Sequence, residues 1–245
     1  MKKIDFKGSV MLNPVPPVMI TSKNKEGKTN VFTVAWTGTI CTRPPMLSIS
    51  IRPERLSYEY IKETMEFTLN IPSVDLVEMV DFVGIRSGKA VDKISELNIP
   101  LKEGTNINVP YIESCPISIE CKVKTILPLG SHDLFIADVM GSHIDENLLD
   151  ETGKIHFEKA NLICYSHGEY YPMSREAIGK FGFSVATNDF FTEKKVEYNK
   201  NLNNFKKKYS IEKKENKNVP KVNSLKKNKK RDEKGKKIRK RNKNR

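Results

Sequence analysis

Long apolar runs are missing from this 245-residue chain. No stretch approaches the roughly 18 consecutive apolar residues of a membrane-spanning helix, so no span is expected. The opening Met1-Lys2-Lys3-Ile4-Asp5-Phe6 has two lysines but no apolar stretch behind them, which makes it a poor signal peptide. Cysteine is scarce: Cys41, Cys115, Cys121 and Cys164 form no C-x-x-C pair. That usage suits a cytoplasmic protein with reduced thiols. The four histidines (His132, His143, His156, His167) lack metal-ligand spacing with one another or with cysteine, so no metal site is expected. There is no G-x-S-x-G elbow, no paired nucleophile and base, and no dinucleotide fingerprint, so no side chain is nominated as catalytic. Gly84-Ile85-Arg86-Ser87-Gly88-Lys89 looks superficially like a phosphate loop. Its glycines are spaced wrongly, and Ala90 stands where Ser or Thr would bind magnesium, which argues against a nucleoside triphosphatase.

Positive charge is abundant but uneven. The chain has a formal net charge of +13. Residues 1–191 hold 20 basic and 24 acidic side chains, while residues 192–245 hold 23 basic and 6 acidic ones. The boundary separates a domain over residues 1–190 from a Lys/Arg/Asn-rich tail over 191–245. Glu193–Tyr209 keeps Val196, Leu202, Phe205 and Tyr209, enough for a weak helix face. From Glu212 onward too little apolar surface remains to order the chain, and disorder is expected.

The first part reads as strand-rich. Val18–Ser22 and Asn30–Trp36 flank turn chemistry at Asn24–Lys28, the pattern of a hairpin with a longer loop. Met46–Ile51 alternates strictly, with Leu47, Ile49 and Ile51 on one face and Ser48 and Ser50 on the other. Phe67–Ile71, Ile117–Leu127, Asp133–Asp145 and Leu162–Ser166 are further strand candidates. Ser57 is placed to cap a helix over Tyr58–Met65, and Ser73 one over Val74–Val83 stopped by Gly84. A third helix is expected over Lys89–Leu97, with Ser87 just before it. Many strands with few short helices predict a mainly β fold, a closed or partly closed barrel.

Two segments carry candidate chemistry. The polar strand face through Ser48 and Ser50 ends at Arg52, just before the expected helix start at Ser57. Free N–H groups at a helix start, with Arg52 or Arg55 beside them, would suit a phosphate. Alternatively, Ser57 is only a cap and the arginines are solvated. Asn30-x-x-Thr33-x-Ala35-Trp36-Thr37-Gly38 sets hydroxyls and an amide beside the only tryptophan, as a planar cofactor requires. Equally, Trp36 reads as a core aromatic. Asn70 stands at a strand end, and Lys93 follows the Gly84–Lys89 loop within reach of a negative group. Cys115 and Cys121, at even spacing, read as buried inert thiols.

Taken in order, these segments resemble the flavin-reductase-like family and, within it, flavoredoxins. The residues carrying the resemblance are Asn30–Gly38, Pro44–Arg52, Ser57, Phe67–Pro72, Gly84–Lys93, Gly130–Ile136 and Tyr171–Ser184, about residues 5–185 in all. The resemblance implies an FMN-binding split barrel that holds FMN non-covalently at a homodimer interface. By that resemblance Asn30, Thr33, Ala35, Trp36 and Thr37 would contact the isoalloxazine or ribityl chain. Ser50, Arg52 and Ser57 would hold the phosphate region, joined by Asn70, Ser87 and Lys93. His132 is a further candidate near the flavin, and equally a hydrogen-bonded strand histidine.

The function implied is an electron carrier or an NAD(P)H:flavin oxidoreductase, fed by NAD(P)H or by a redox partner protein. A second hypothesis puts the function in the tail, as an arm for nucleic acid or another polyanion, with the barrel as FMN sensor or scaffold. A third keeps the fold but changes the chemistry: a pyridoxamine-phosphate-oxidase-like barrel, or an FMN sensor without turnover. Family members usually end soon after the segment matching Phe181–Ser184, so the resemblance does not extend to the tail.

Overall fold

The computed structural model describes residues 1–174 and 176–185, with Lys200 and Asn203 beyond them. The expected helix face over Glu193–Tyr209 and the expected disorder from Glu212 onward lie outside the described residues, those two positions apart.

The expected hairpin forms first. Strand β1 (Val18–Lys23) pairs antiparallel with β2 (Thr29–Val34), Ile20 opposite Phe32. Asn24 closes the loop by accepting the Lys28 N–H on its side chain at 2.7 Å. β3 (Thr37–Thr42), which the sequence did not mark as a strand, pairs with β4 (Pro45–Ile51). Helix α1 (Leu56–Thr64) leads into β5 (Glu66–Ile71). A 3₁₀ turn (Val74–Leu76), α2 (Val77–Ile85) and a short α3 (Lys93–Glu96) follow. After the small pair β6 (Leu101–Lys102) and β7 (Tyr111–Ile112) come the two longest strands, β8 (Ile117–Pro128) and β9 (Asp133–Ile144). β10 (Ile163–Ser166) and β11 (Glu169–Pro172) form a final hairpin.

The seven-stranded main sheet has the order β2-β1-β5-β8-β9-β4-β3. It curls so that β2 comes against β4, and the Ser50 N–H donates to Trp36 O at 2.9 Å, continuing the β3–β4 ladder to the point where the chain leaves β2. The interior is one apolar cluster to which every strand but β3 contributes, including Ile20, Phe32, Ile49, Phe67, Cys121 and Phe135. A fully buried side chain of this size contributes about 1.5–3 kcal/mol. The outer faces of β1 and β2 are also covered, by α2 and its neighbours through Met19, Val31, Val80 and Val83. Both faces of these strands are therefore apolar, which explains why their alternation is weaker than that of β4. The fold is the mainly β split barrel with short helices that the sequence predicted.

Three local expectations are corrected. α1 begins at Leu56 with Arg55 as its N-cap, and no side chain caps it. Ser57 lies inside the first turn, fully buried, and bonds to β-strand side chains instead. Gly84 does not stop α2, which runs on to Ile85. It lets the helix approach β2, since a Cβ there would come within 3.1 Å of Thr33 Cβ. The helix expected over Lys89–Leu97 shrinks to Lys93–Glu96, capped by Asp92, whose carboxylate accepts the Ser95 N–H.

Two buried polar groups tie the loop before β7 to the sheet. Asn70 is fully buried: its Nδ2 donates to Met19 O, Thr21 Oγ1 and Thr68 O, and its Oδ1 accepts from Ile112 N and Ser118 Oγ. Glu120, also fully buried, accepts from Thr105 N, Asn106 N, Asn106 Nδ2 and His143 Nε2. Burial alone would raise the Glu120 pKa. The bonds from His143, Thr105 and Asn106 outweigh it and hold the carboxyl below its ordinary range. Its stabilisation is therefore present above the ordinary carboxylate range and lost as pH falls through the lowered value. Asn70→Ala removes five hydrogen bonds at once. It is expected to lower the unfolding free energy by roughly 3 kcal/mol in urea titrations; a loss below about 1 kcal/mol would contradict this role.

Candidate functional site

At the barrel seam β2 runs out through Ala35 and Trp36 before the chain turns into β3. The Ser50–Trp36 backbone bond holds that exit against β4. Trp36 is not a core aromatic: its side chain is 40% exposed. β4 carries Ser50 beneath it, and Arg52 follows where the strand ends. β9 pairs with β4 so that Asp133 lies opposite Ile51, which brings His132 alongside Arg52 from 80 residues away. Gly130, with φ of 110°, makes the turn that presents His132, and Leu129 N–H donates to His132 O at 3.1 Å. Arg55, at the start of α1, completes the wall.

These residues line one cleft of about 170 Å³: Thr33, Ala35, Trp36, Ser50, Arg52, Arg55 and His132. A second cavity of about 520 Å³ shares Trp36, Ser50, Arg52 and His132, and adds Val10, Leu129 and Ser131. Arg52 is exposed and pairs only loosely with Glu54, at 3.7 Å. Among the described residues Arg55 forms no side-chain hydrogen bond or ion pair. Burial and the adjacent Arg52 charge lower the His132 pKa, so its imidazole tends to the neutral form. Its Nδ1 lies 2.9 Å from Ser131 Oγ. An aromatic face, two guanidinium groups, hydroxyls and an imidazole thus open on one space. That set suits a flat ring system carrying an anionic group.

Behind Arg55 lies a buried polar layer. Ser57 Oγ accepts from Ser22 Oγ and from Asn30 Nδ2, each at 2.8 Å. Gly88 lies directly on Asn30, where a Cβ would fall 2.3 Å from Oδ1. Lys93 is buried, and its Nζ donates to Val83 O at 2.9 Å and Arg86 O at 3.1 Å, tying down the end of α2. Burial, with a smaller push from Arg55, lowers its pKa to about 8.

Of the residues singled out in the sequence, Thr33, Ala35, Trp36, Ser50 and Arg52 meet in the cleft. Asn30, Ser57 and Lys93 belong to the layer behind it. Thr33 also donates its hydroxyl to Val80 O, and Thr37 donates to Ser48 O at 2.8 Å. Ser87 is exposed on the loop after α2, where its Oγ accepts the Lys89 N–H. Asn70 is the exception: its amide is spent inside the protein, as described above. Val10 was missed. It belongs to an extended N-terminal arm with no periodicity, and only the tertiary structure brings it to the cleft. Two larger cavities, about 620 Å³ beside Tyr111 and His143 and about 690 Å³ along α2, contain neither Trp36 nor the paired arginines.

The Flavin reductase like domain family matches residues 11–174. An uncharacterised protein of Archaeoglobus fulgidus is 31% identical over 113 residues, 46% of this chain and 64% of that protein. The chain therefore spans less than two thirds of that relative. Among solved structures, flavoredoxin of Desulfovibrio vulgaris (Miyazaki F) has a TM-score of 0.68 at 27% identity, covering 73% of this chain and 97% of its own. Flavoredoxin from Methanosarcina acetivorans has a TM-score of 0.69 at 25% identity, covering 76% and 100%.

Because the folded Lys93 is less basic than an unfolded lysine, the native state binds fewer protons between pH about 8 and 10.5. Stability is therefore expected to gain a rising contribution with pH across that window. In chemical denaturation at a series of pH values, Lys93→Met is expected to lack this rise. An identical slope in both proteins would contradict the assignment.

Proposed function

The chain belongs to the flavin reductase-like family, and from that premise we propose that it holds FMN non-covalently in the seam cleft and transfers electrons through it. It would act as a flavoredoxin-like carrier or as an NAD(P)H:flavin oxidoreductase. The observation that carries the reading is the meeting of exposed Trp36 with Ser50, Arg52, Arg55 and His132 in one cleft. Trp36 offers a face for a flat ring, and the two arginines offer charge-assisted hydrogen bonds to a phosphate. FMN supplies the redox chemistry when bound. Asn30, Ser57 and Lys93 serve in this reading as the buried support of the phosphate side. Asn70 serves the fold.

The cleft is shallow and open, and exposed apolar side chains line its edge: Val10, Trp36 and Leu129. A homodimer that covers the cleft accounts for both features. Residues 1–190 carry the flavin work in this reading. The cytoplasm suits four free cysteines, two of them buried with raised pKa values. NAD(P)H and a reduced redox protein are the two candidate electron donors.

The test starts from purified full-length protein and its visible absorption spectrum. NADH and NADPH oxidation is then followed with and without added FMN. Bound flavin reduced by a nicotinamide identifies an oxidoreductase and its donor; bound flavin left oxidised identifies a carrier fed by another protein. A colourless protein that takes up no added FMN would overturn the proposal. Replacing Arg52 and Arg55 with alanine is expected to weaken FMN binding by roughly tenfold to a hundredfold each. Unfolding midpoints should stay near wild type, because both side chains face the cleft rather than the core.

A further inference from the structure

Residues 178–185 form an apolar element on which none of the other described residues packs closely. Ile178 is 102% exposed and Phe181 103%, with Phe183 and Val185 also exposed. Single exposed apolar side chains are ordinary, but four within eight residues are not. The segment nevertheless has a shape. Phe183 N–H donates to Lys180 O at 2.9 Å, and Val185 N–H to Gly182 O at 3.2 Å, making one 3₁₀ turn. The Phe183 ring covers Gly179, where a Cβ would lie 2.7 Å from ring carbons. Gly182 takes φ of 86°, which a larger residue rarely adopts. The result is a preformed hook with Ile178 and Phe181 on the outside.

The same chain has a groove that fits it. The cavity of about 690 Å³ along α2 is lined by Val77, Phe82, Ile85 and Tyr170, with Glu78 and Asp81 among its polar walls and Arg86 at one end. Tyr170 is held in place by its hydroxyl, which donates to Asp81 Oδ1 at 3.2 Å. Ile85 is 69% exposed although it lies on a helix that otherwise packs on the barrel.

We infer that the hook of one protomer docks in the α2 groove of a second copy of this chain, an exchange of arms that rests on the homodimer reading above. The chain's own hook does not fill the groove, as the full exposure of Ile178 and Phe181 records. Two copies related by a two-fold axis satisfy both hooks and both grooves at once and leave no open end. Charge favours the same arrangement. Past the hook the chain turns strongly basic, with 23 basic and 6 acidic residues over 192–245. The groove itself carries Glu78 and Asp81, of the opposite sign.

The test places p-benzoylphenylalanine at Phe181 in the full-length chain. Unlabelled and ¹⁵N-labelled protein are mixed, irradiated, digested and analysed by mass spectrometry. The expected product joins residue 181 to the Val77–Ile85 peptide, with mixed-isotope pairs marking an inter-chain link. Links confined to one chain, or to another surface, would overturn the inference. In parallel, Phe181→Ser with Phe183→Ser, and separately Ile85→Glu, are each expected to raise the dimer dissociation constant at least tenfold by sedimentation. Combining them should add little, because each removes the same contact. All these side chains are exposed, so circular dichroism should stay unchanged. A wild-type dimer whose dissociation constant is unmoved by these variants would remove the hook and leave the dimer standing. A monomeric wild type would remove both.

Discussion

The chain crosses from β2 to β3 through Ala35 and Trp36, and the Ser50 N–H to Trp36 O bond, which continues the β3–β4 ladder by one residue, holds that crossing against β4; the site follows from it. A seven-stranded sheet that did not close would expose the inner faces of its end strands. Curling it over Phe67, Phe135 and Ile49 removes the inner face of β2 from water, while β3 adds nothing to that interior. The closure is local, because β2 meets β4 only where β2 is ending and the chain turns into β3. Trp36 is therefore carried out of the interior at the point where Ser50 and Arg52 leave the polar face of β4. A tryptophan one turn deeper in the barrel would have been core, and the cleft would lack its aromatic wall.

The cleft is kept in place by polar groups that never reach it. Asn30 and Ser57 lock strand β2 to helix α1 by one 2.8 Å bond, and Ser22 locks β1 to the same hydroxyl. Lys93 fixes the end of α2, and Gly88 seats the following loop on Asn30. Each of these groups is buried and bonded, so each loses more if a partner is removed than it gains while paired. Arg55, placed by the start of α1, inherits its position from this layer. A site built from long, mobile arginines needs such a rigid support behind it.

Much of this was legible in the sequence, for identifiable reasons. The alternation of Met46–Ile51 fixed both the strand and the polar side on which Ser50 and Arg52 lie, because a strand has a two-residue period. Five of the proposed flavin contacts meet in the cleft because they lie on β2, on β4, or directly after them. Sequence patterns failed where contacts are non-local. Asn70 has the residue type and strand-end position of a ligand, yet it serves β1, β7 and β8 at sequence separations of more than 40. Ser57 has the residue type of a cap, but a buried partner in β1 and another in β2 compete successfully for its oxygen. Gly84 has the residue type of a helix stop; its value lies in the close approach to Thr33, which no local pattern encodes. β3 was invisible because Thr37–Thr42 has few large apolar residues, as suits an edge strand with a mostly exposed surface.

The charge of the cleft is opposite in sense to that of the domain around it. Residues 1–191 carry four more acidic than basic side chains, so no general attraction brings anions to this barrel. In the proposed FMN reading, selectivity would come from Arg52 and Arg55 at short range, since screening removes exposed charges beyond about a Debye length. Their nearness has a cost that the structure makes visible. Arg55 adds to the burial that lowers the Lys93 pKa, and Arg52 adds to the burial that lowers that of His132. Cations crowded in this way repel one another until an anion enters, and an entering anion relieves all of them together. In the proposed FMN reading the cleft would discriminate by charge without a dedicated phosphate loop, consistent with the wrong glycine spacing of Gly84–Lys89.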